Sequence, residues 1–191
     1  MGFLKAIFRF FVYKVFYRVE VIGYENIKDI DNIVLCPNHT TWQDGLFIWA
    51  LKGKRVHAMA KAELFKNPIT RCFFKSIDMF PIERGGKDFK SVFHAVNVVE
   101  SGKPVAIFPE GTRNAREKGI KPKVGAVYVA SKAGGYNIPV YITPHQKVFH
   151  KVRVIIGKPI KFEFIEGDKE SLRKNTEKLM EEVYKLKKKD K

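Results

Sequence analysis

The sequence predicts an α/β fold: a mostly parallel, layered sheet with flanking helices and an N-terminal amphipathic helix. Three observations carry that expectation. Short apolar runs alternate along the chain with segments of helical periodicity. One run, Val105-Ala106-Ile107-Phe108, is apolar at every position and bounded by prolines, the pattern of a strand buried on both faces of a parallel sheet. Finally, residues 1–19 interrupt an apolar and aromatic stretch with Lys5, Arg9, Lys14 and Arg18 at near-helical intervals.

Each element follows from its pattern. Within residues 1–19 the uncharged runs fall short of the roughly 20 apolar residues a spanning helix needs, and a secretory leader would need a clean apolar centre. A basic helix with Phe3, Leu4, Ile7, Phe8, Phe11, Val15 and Phe16 on its other side suits a membrane interface, with a helix packed on the core as the alternative. A single α/β domain is expected over residues 20–191. It opens with an alternating strand, Val19-Glu20-Val21-Ile22, ended by Gly23, and a second, apolar strand at 32–36. Residues 43–51 are predicted helical, and Val56–Ala60 a strand with Lys61 at its end. Helical pieces over 62–75 lead to Ile77–Ile82, with Glu83 and Arg84 just beyond. Phe89, Val92, Phe93, Val96 and Val99 mark one face of a helix closed by Gly102; His94 within it has the position of a structural residue. After the strand at 105–108 come a basic loop through Lys123, a helix at 124–133 and strands near 138–143 and 152–157. A charged amphipathic helix carrying Leu172, Leu179, Met180, Val183 and Tyr184 closes the chain, and the lysine-rich end at 185–191 is expected to be a solvated tail.

Composition narrows the partners. A chain of 191 residues suits about one domain with a sizeable core, and 45% hydrophobic residues exclude a disordered tail. With 36 Lys+Arg against 20 Asp+Glu, the formal charge is +16, so an acidic partner is expected. Anionic lipid, an acidic carrier protein, phosphorylated metabolites and nucleic acid all qualify. Nucleic acid is the weakest, because no recognisable nucleic-acid-binding motif occurs. Cys36 and Cys72 sit in apolar surroundings without C-x-x-C spacing, which predicts buried thiols in a reducing compartment and no metal site.

The chemistry concentrates in Asn38-His39-Thr40-Thr41-Trp42-Gln43-Asp44. His39 follows a strand, and Asp44 falls in the first turn of the next helix. An aspartate so placed can hold one imidazole nitrogen and leave the other as a proton acceptor, the base-and-orienter half of a Ser-His-Asp triad. No nucleophile elbow of the G-x-S-x-G kind is present, so the hydroxyl so activated would belong to a substrate. The competing reading is a capping box, Thr41-x-x-Asp44, in which the aspartate takes backbone N–H groups and never meets the histidine. Lys61, Arg84 and Arg113 fall at expected strand ends, where α/β sheets gather ligands. In Glu110-Gly111-Thr112-Arg113 the glycine permits close backbone approach and the arginine offers a fork suited to phosphate. The bland alternative is a pairing of Glu110 with Arg113.

Over about residues 20–160 the chain resembles the glycerolipid acyltransferases. Residues 38–44 are similar to that family's N-H-x4-D motif, and Lys61 with Pro81-Ile82-Glu83-Arg84 resembles its second. Phe108–Arg113 matches the third in full, and Ile138-Pro139-Val140 resembles the fourth. Thr41 stands where serine is commoner, and Glu83 where aspartate is more usual. The resemblance implies that His39, oriented by Asp44, deprotonates the sn-2 hydroxyl of 1-acyl-sn-glycerol-3-phosphate (lysophosphatidic acid), which attacks a fatty acyl thioester to give phosphatidic acid. Glycerol-3-phosphate or another lysolipid is the alternative acceptor. It further implies that Lys61, Arg84 and Arg113 hold the phosphate, that Glu110, Gly111 and Thr112 shape its pocket, and that Pro139 lies at the acyl or acceptor site. The donor would be acyl-carrier protein or acyl-coenzyme A, with no metal or prosthetic group. The expected location is peripheral, on the cytoplasmic face of the cell membrane, against an anionic surface.

Overall fold

The computed structural model describes residues 7, 10–51, 53–83, 89–144, 146–163 and 167–190. The strands are β1 Arg18–Ile22, β2 Ile33–Pro37, β3 His57–Lys61, β4 Met79–Ile82, β5 Val105–Ala106, β6 Tyr136–Ile142 and β7 Lys151–Ile156. The helices are α1 Asp44–Trp49, α2 Pro68–Ser76, α3 Phe89–Glu100, α4 Gly125–Lys132 and α5 Lys169–Lys185. All seven strands join one sheet in the order β1-β7-β6-β2-β5-β3-β4. Neighbours are parallel throughout except β6 and β7. The expected layered, mostly parallel α/β architecture is therefore present. Because β1 and β7 run against the other five, their amino ends share an edge with the carboxyl ends of β6, β2, β5, β3 and β4. Everything described below as the rim is this edge.

Strand β2 shows why an uninterrupted apolar run sits in the middle. All five of its residues are buried, and period-two alternation sends them to opposite faces. Ile33 and Leu35 pack with Phe47 and Ile48 of α1 and with Val12 and Tyr17. Val34 and Cys36 pack with Val96 and Val99 of α3, Val127 of α4 and Leu179 of α5. The thiol of Cys36 is fully buried, and burial pushes it up to about 12, which leaves an unreactive thiol.

Four sequence expectations are corrected. Strand β5 is only two residues long; Ile107 still bonds Leu35 O at 3.0 Å, but the chain then turns, with Gly111 N–H closing on Phe108 O. Cys72 is exposed, because the apolar stripe of α2 faces outward and no residue of that helix is buried. The lysine-rich end is docked, not a free tail. A 3-10 turn at Leu186–Lys189 carries Asp190 into place, where its carboxylate accepts from Thr143 Oγ1 at 2.7 Å and its carbonyl accepts from Arg153 at 2.7 Å. The boundary expected at residue 19 falls inside β1. Just ahead of it, the π-helical turn Phe11–Phe16 buries Val12, donates Tyr13 OH to Phe47 O at 2.6 Å, and leaves Phe10, Phe11, Val15 and Phe16 exposed. That segment both packs on the core and presents an apolar face; residues 1–6, 8 and 9 lie outside the described residues. No helix among the described residues is long and apolar enough to cross a membrane.

Candidate active site

The site is built where β2 leaves the sheet. Asn38, fully buried, imitates one more residue of strand: its side chain donates to Ile142 O at 3.0 Å and accepts from Ile142 N at 2.7 Å. This fixes the exit of β2 against the end of β6, so the direction of His39 is set by a buried amide and not by a free loop. His39 then turns over the rim, and its carbonyl accepts from Asn114 N at 2.8 Å.

Asp44 opens α1 and is wholly buried. Its Oδ2 lies 3.0 Å from His39 Nδ1 and accepts from the N–H groups of Thr40 at 2.7 Å and Thr41 at 2.9 Å. The two readings of residues 39–44 thus describe one arrangement: the aspartate closes back on the backbone and meets the histidine as well. Its Oδ1 accepts from Gln146 Nε2 at 2.9 Å and lies 3.1 Å from Thr41 Oγ1. Gln146 is itself held, its amide oxygen 2.5 Å from Thr41 Oγ1 and its Nε2 donating to Thr143 O. Since a carboxylate only accepts, Nδ1 carries the proton, and Nε2 is left as a base with no hydrogen bond among the described residues. The imidazole is 14% exposed and packs on Phe108, ring centroids 4.4 Å apart.

The turn after β5 forms the second wall. Gly111 has a positive φ of 65°, and a Cβ there would come within 2.9 Å of Lys123 Cδ and Cε. The backbone conformation is what calls for glycine, since the lysine stem that crosses it is flexible and could move aside. Lys123 N–H closes the loop on Pro109 O at 2.7 Å. Glu110 is buried and accepts from Tyr184 OH at 2.5 Å; it is not paired with Arg113. Burial first, and then this bond to a carboxylate, push the Tyr184 phenol well above its ordinary range, and Arg116 covers its ring at 4.0 Å. Arg113 is exposed beside Asn114 with no side-chain partner among the described residues, and Thr112 is half-buried.

The remaining expected residues fall as follows. Lys61 ends β3, two strands from β2 and hence about 10 Å along the rim, and pairs with Glu63 at 3.0 Å. Arg84 lies outside the described residues. Pro139 is not brought to the rim: it is buried inside β6, three residues short of its end, with its carbonyl taken by Gly157 N–H at 2.8 Å. Sequence reasoning missed Gln146, Tyr184 and the strand-mimicking role of Asn38. Only Asn38 carried a local signal, being next to His39. Below Phe108 an apolar cavity of about 120 Å³ is lined by Met59, Ile82, Val92, Ile107 and Val129 among others. A polar cleft of about 1060 Å³ runs from Asn38, Thr40 and Asn114 to Tyr184 and the docked carboxyl-terminal turn. Among the described residues no cluster of His, Cys, Asp and Glu could hold a metal ion.

Comparison with known proteins adds a family to this geometry. A family model described as acyltransferase matches residues 18–143. The 1-acyl-sn-glycerol-3-phosphate acyltransferase of Bacillus subtilis (strain 168) is 30% identical over 148 residues, which are 74% of this chain and 73% of that protein. The protein of the same name from Streptococcus pneumoniae is 31% identical over 115 residues, 59% of this chain and 42% of its own length. The crystal structure of the 1-acyl-sn-glycerophosphate (LPA) acyltransferase PlsC from Thermotoga maritima superposes with a TM-score of 0.65, covering 96% of this chain and 76% of that one. At 24% identity it establishes a shared fold.

Proposed function

The chain belongs to the acyltransferase family, and from that premise we propose that it acylates the sn-2 hydroxyl of 1-acyl-sn-glycerol-3-phosphate to give phosphatidic acid. The observation that carries the proposal is the imidazole at the rim, proton-loaded on Nδ1 by a buried carboxylate and open on Nε2. The hydroxyl proton passes to Nε2 as its oxygen attacks the thioester carbonyl, forming a C–O bond and a tetrahedral oxyanion. Collapse breaks the C–S bond, and the sulfur leaves with the proton from Nε2. No acyl-enzyme forms, and no cofactor is needed. Arg113, exposed at the mouth, is available to the acceptor phosphate, with Lys61 and Arg84 assigned to the same group. Glu110, Gly111 and Thr112 form the turn that presents it. The apolar cavity below Phe108 is of the right character for the end of a fatty chain.

The names of the related proteins support this acceptor. The exposed Phe10, Phe11 and Phe16 at the amino ends of β1 and β7, on a chain of +16, support attachment to the anionic cytoplasmic face of the cell membrane. The donor is a soluble thioester, acyl-carrier protein or acyl-coenzyme A. The test is to supply purified protein with lysophosphatidic acid or glycerol-3-phosphate and each donor, and identify products by mass. Phosphatidic acid is expected. Acylation of glycerol-3-phosphate alone, or no transfer from either donor, overturns the proposal.

A further inference from the structure

Helix α2 is the least covered element of the fold. All its residues are exposed except Phe74, which packs back on Phe65 at 5.6 Å. Ile69, Cys72 and Phe73, at i, i+3 and i+4, form an outward apolar stripe in which Ile69 is 79% exposed. Beyond the edge strand β4, the first turns of α3 present Phe89 and Phe93, 72% and 68% exposed. A depression of about 720 Å³ lies between the turn that precedes α2 and the start of α3, with Phe65, Lys66, Glu83, Phe89 and Lys90 in its wall. Basic residues outnumber acids beside these side chains: Lys66, Arg71, Lys75 and Lys90 are all exposed, against the exposed Glu83 in the wall of the depression. The nearby acids Glu63 and Asp78 are occupied by Lys61 and Arg55.

Topology places this surface on the active-site side. Leu64 and Ile69 follow the carboxyl end of β3, and Phe89 follows that of β4; Trp42, 67% exposed, follows that of β2 beside His39. At the opposite end of the sheet, Phe16 and Phe149 contact each other ahead of β1 and β7. We propose that the β3–β4 end, through α2 and the start of α3, is a second docking surface for an anionic bilayer. The sheet is then held at both ends with the His39 rim facing the lipid. A second copy of this chain is a poor occupant, because both surfaces would be basic on a molecule of +16. A bilayer takes up the apolar stripe and the lysines together. This deepens the proposed function, since it explains how an acceptor with its hydrocarbon in the membrane reaches His39, but vesicle binding and the Cys72 signal are read without either substrate.

The full chain is tested on vesicles of phosphatidylcholine with about one-third phosphatidylglycerol. Ile69→Ser with Phe93→Ser, both exposed and remote from His39 and Asp44, should weaken binding about 10- to 100-fold, as expected when two large apolar side chains no longer leave water. The secondary structure and the turnover of a dispersed short-chain acceptor should stay within about twofold of the parent, since the change touches only solvent-facing side chains. Independently, a polarity-sensitive fluorophore on Cys72, which is exposed whereas Cys36 is buried, should shift to the blue when vesicles are added. Parent-like binding by the double variant, an unmoved Cys72 signal on bound protein, or no binding by the parent each overturns the proposal. A double variant that binds vesicles normally yet loses turnover only with a carrier-protein donor would make this face a protein dock, which also overturns it. Failure of acyl transfer, with vesicle binding as described, would count against the function and not against the docking surface.

Discussion

Asp44→Asn separates the two jobs that the buried carboxylate performs. The amide can enter in two orientations. With its NH2 at the Oδ2 position it would face three donors, His39 Nδ1–H and the N–H groups of Thr40 and Thr41. With its NH2 at the Oδ1 position it faces a single donor, Gln146 Nε2, beside the Thr41 hydroxyl, which can accept. The second orientation is preferred, so the loop, the tautomer and the ring direction survive while the negative charge disappears. The imidazolium formed during proton transfer then loses an opposite charge about 4 Å from its centre, worth ~4 kcal/mol at an effective dielectric of about 20. That is a fall of roughly 10³ in kcat/KM. His39→Ala, which removes the base itself, should fall further. Stability should move the other way: Asp44→Asn keeps the backbone bonds, whereas Asp44→Ala strands two buried N–H groups at ~1–3 kcal/mol each. Initial rates on a dispersed short-chain acceptor, with circular dichroism melts of each variant, check both halves. Turnover by Asp44→Asn within about tenfold of the parent would refute the reasoning and reduce Asp44 to a cap.

Three further outcomes follow from the same geometry. Arg113→Ala should lower kcat/KM for a phosphorylated acceptor roughly 10- to 150-fold, the loss of a ~1.5–3 kcal/mol charge-assisted bond, and leave a dephosphorylated acceptor little changed; equal slowing of both would make the arginine structural. Tyr184→Phe leaves the buried Glu110 without the hydroxyl it accepts from, so melting should drop by roughly 2–12 °C, and Glu110→Gln in that background should recover part of the loss. His57 is half-buried, and desolvation holds its pKa below the ordinary 6.5, the opposing field of Asp78 notwithstanding. The unfolded chain therefore binds the proton first: stability present above pH 6.5 is lost as pH falls through that value toward the depressed folded one. His57→Asn should melt with a flatter pH dependence below 6.5.

What the sequence showed and what it hid divide along a physical line. The alternation of Ile33 and Leu35 with Val34 and Cys36 is a local pattern, and local geometry fixes which face each side chain takes. The spacing of His39 and Asp44 is local too, since a tight turn between strand and helix leaves few ways to place them. Gln146 reaches Asp44 across 102 residues and Tyr184 reaches Glu110 across 74; no periodicity encodes such meetings. Helices α2 and α3 show a different limit. Each has apolar residues three and four apart, but of the five expected on one face of α3 only Val96 and Val99 turn fully inward while Phe89 and Phe93 are exposed, and α2 turns Ile69 and Phe73 out. Periodicity defines a stripe without saying whether protein or something else covers it. The docked tail was hidden for the same reason. Five lysines in seven residues describe a solvated surface, and only the folded contacts of Asp190 show where that surface is pinned.

The place of the site follows from the order in which the strands are laid down. From β2 the chain passes through α1, which packs on one face with Phe47 and Ile48. From β5, the neighbour of β2, it passes through the Glu110 turn to α4, which packs on the other face with Ala126 and Val127. Two adjacent parallel strands whose connections leave to opposite faces open a crevice at their carboxyl ends, the position at which open α/β sheets take ligands. His39 and Phe108 are the first side chains on its two lips, and they touch. A substrate hydroxyl approaching Nε2 therefore meets one wall held by Asp44 and Asn38 and a second held by Gly111, Lys123 and the Glu110–Tyr184 bond. Removing the Tyr184 hydroxyl loosens only the second wall, so it should raise KM for the phosphorylated acceptor more than it lowers kcat. Asp44→Asn acts on the base and should do the reverse.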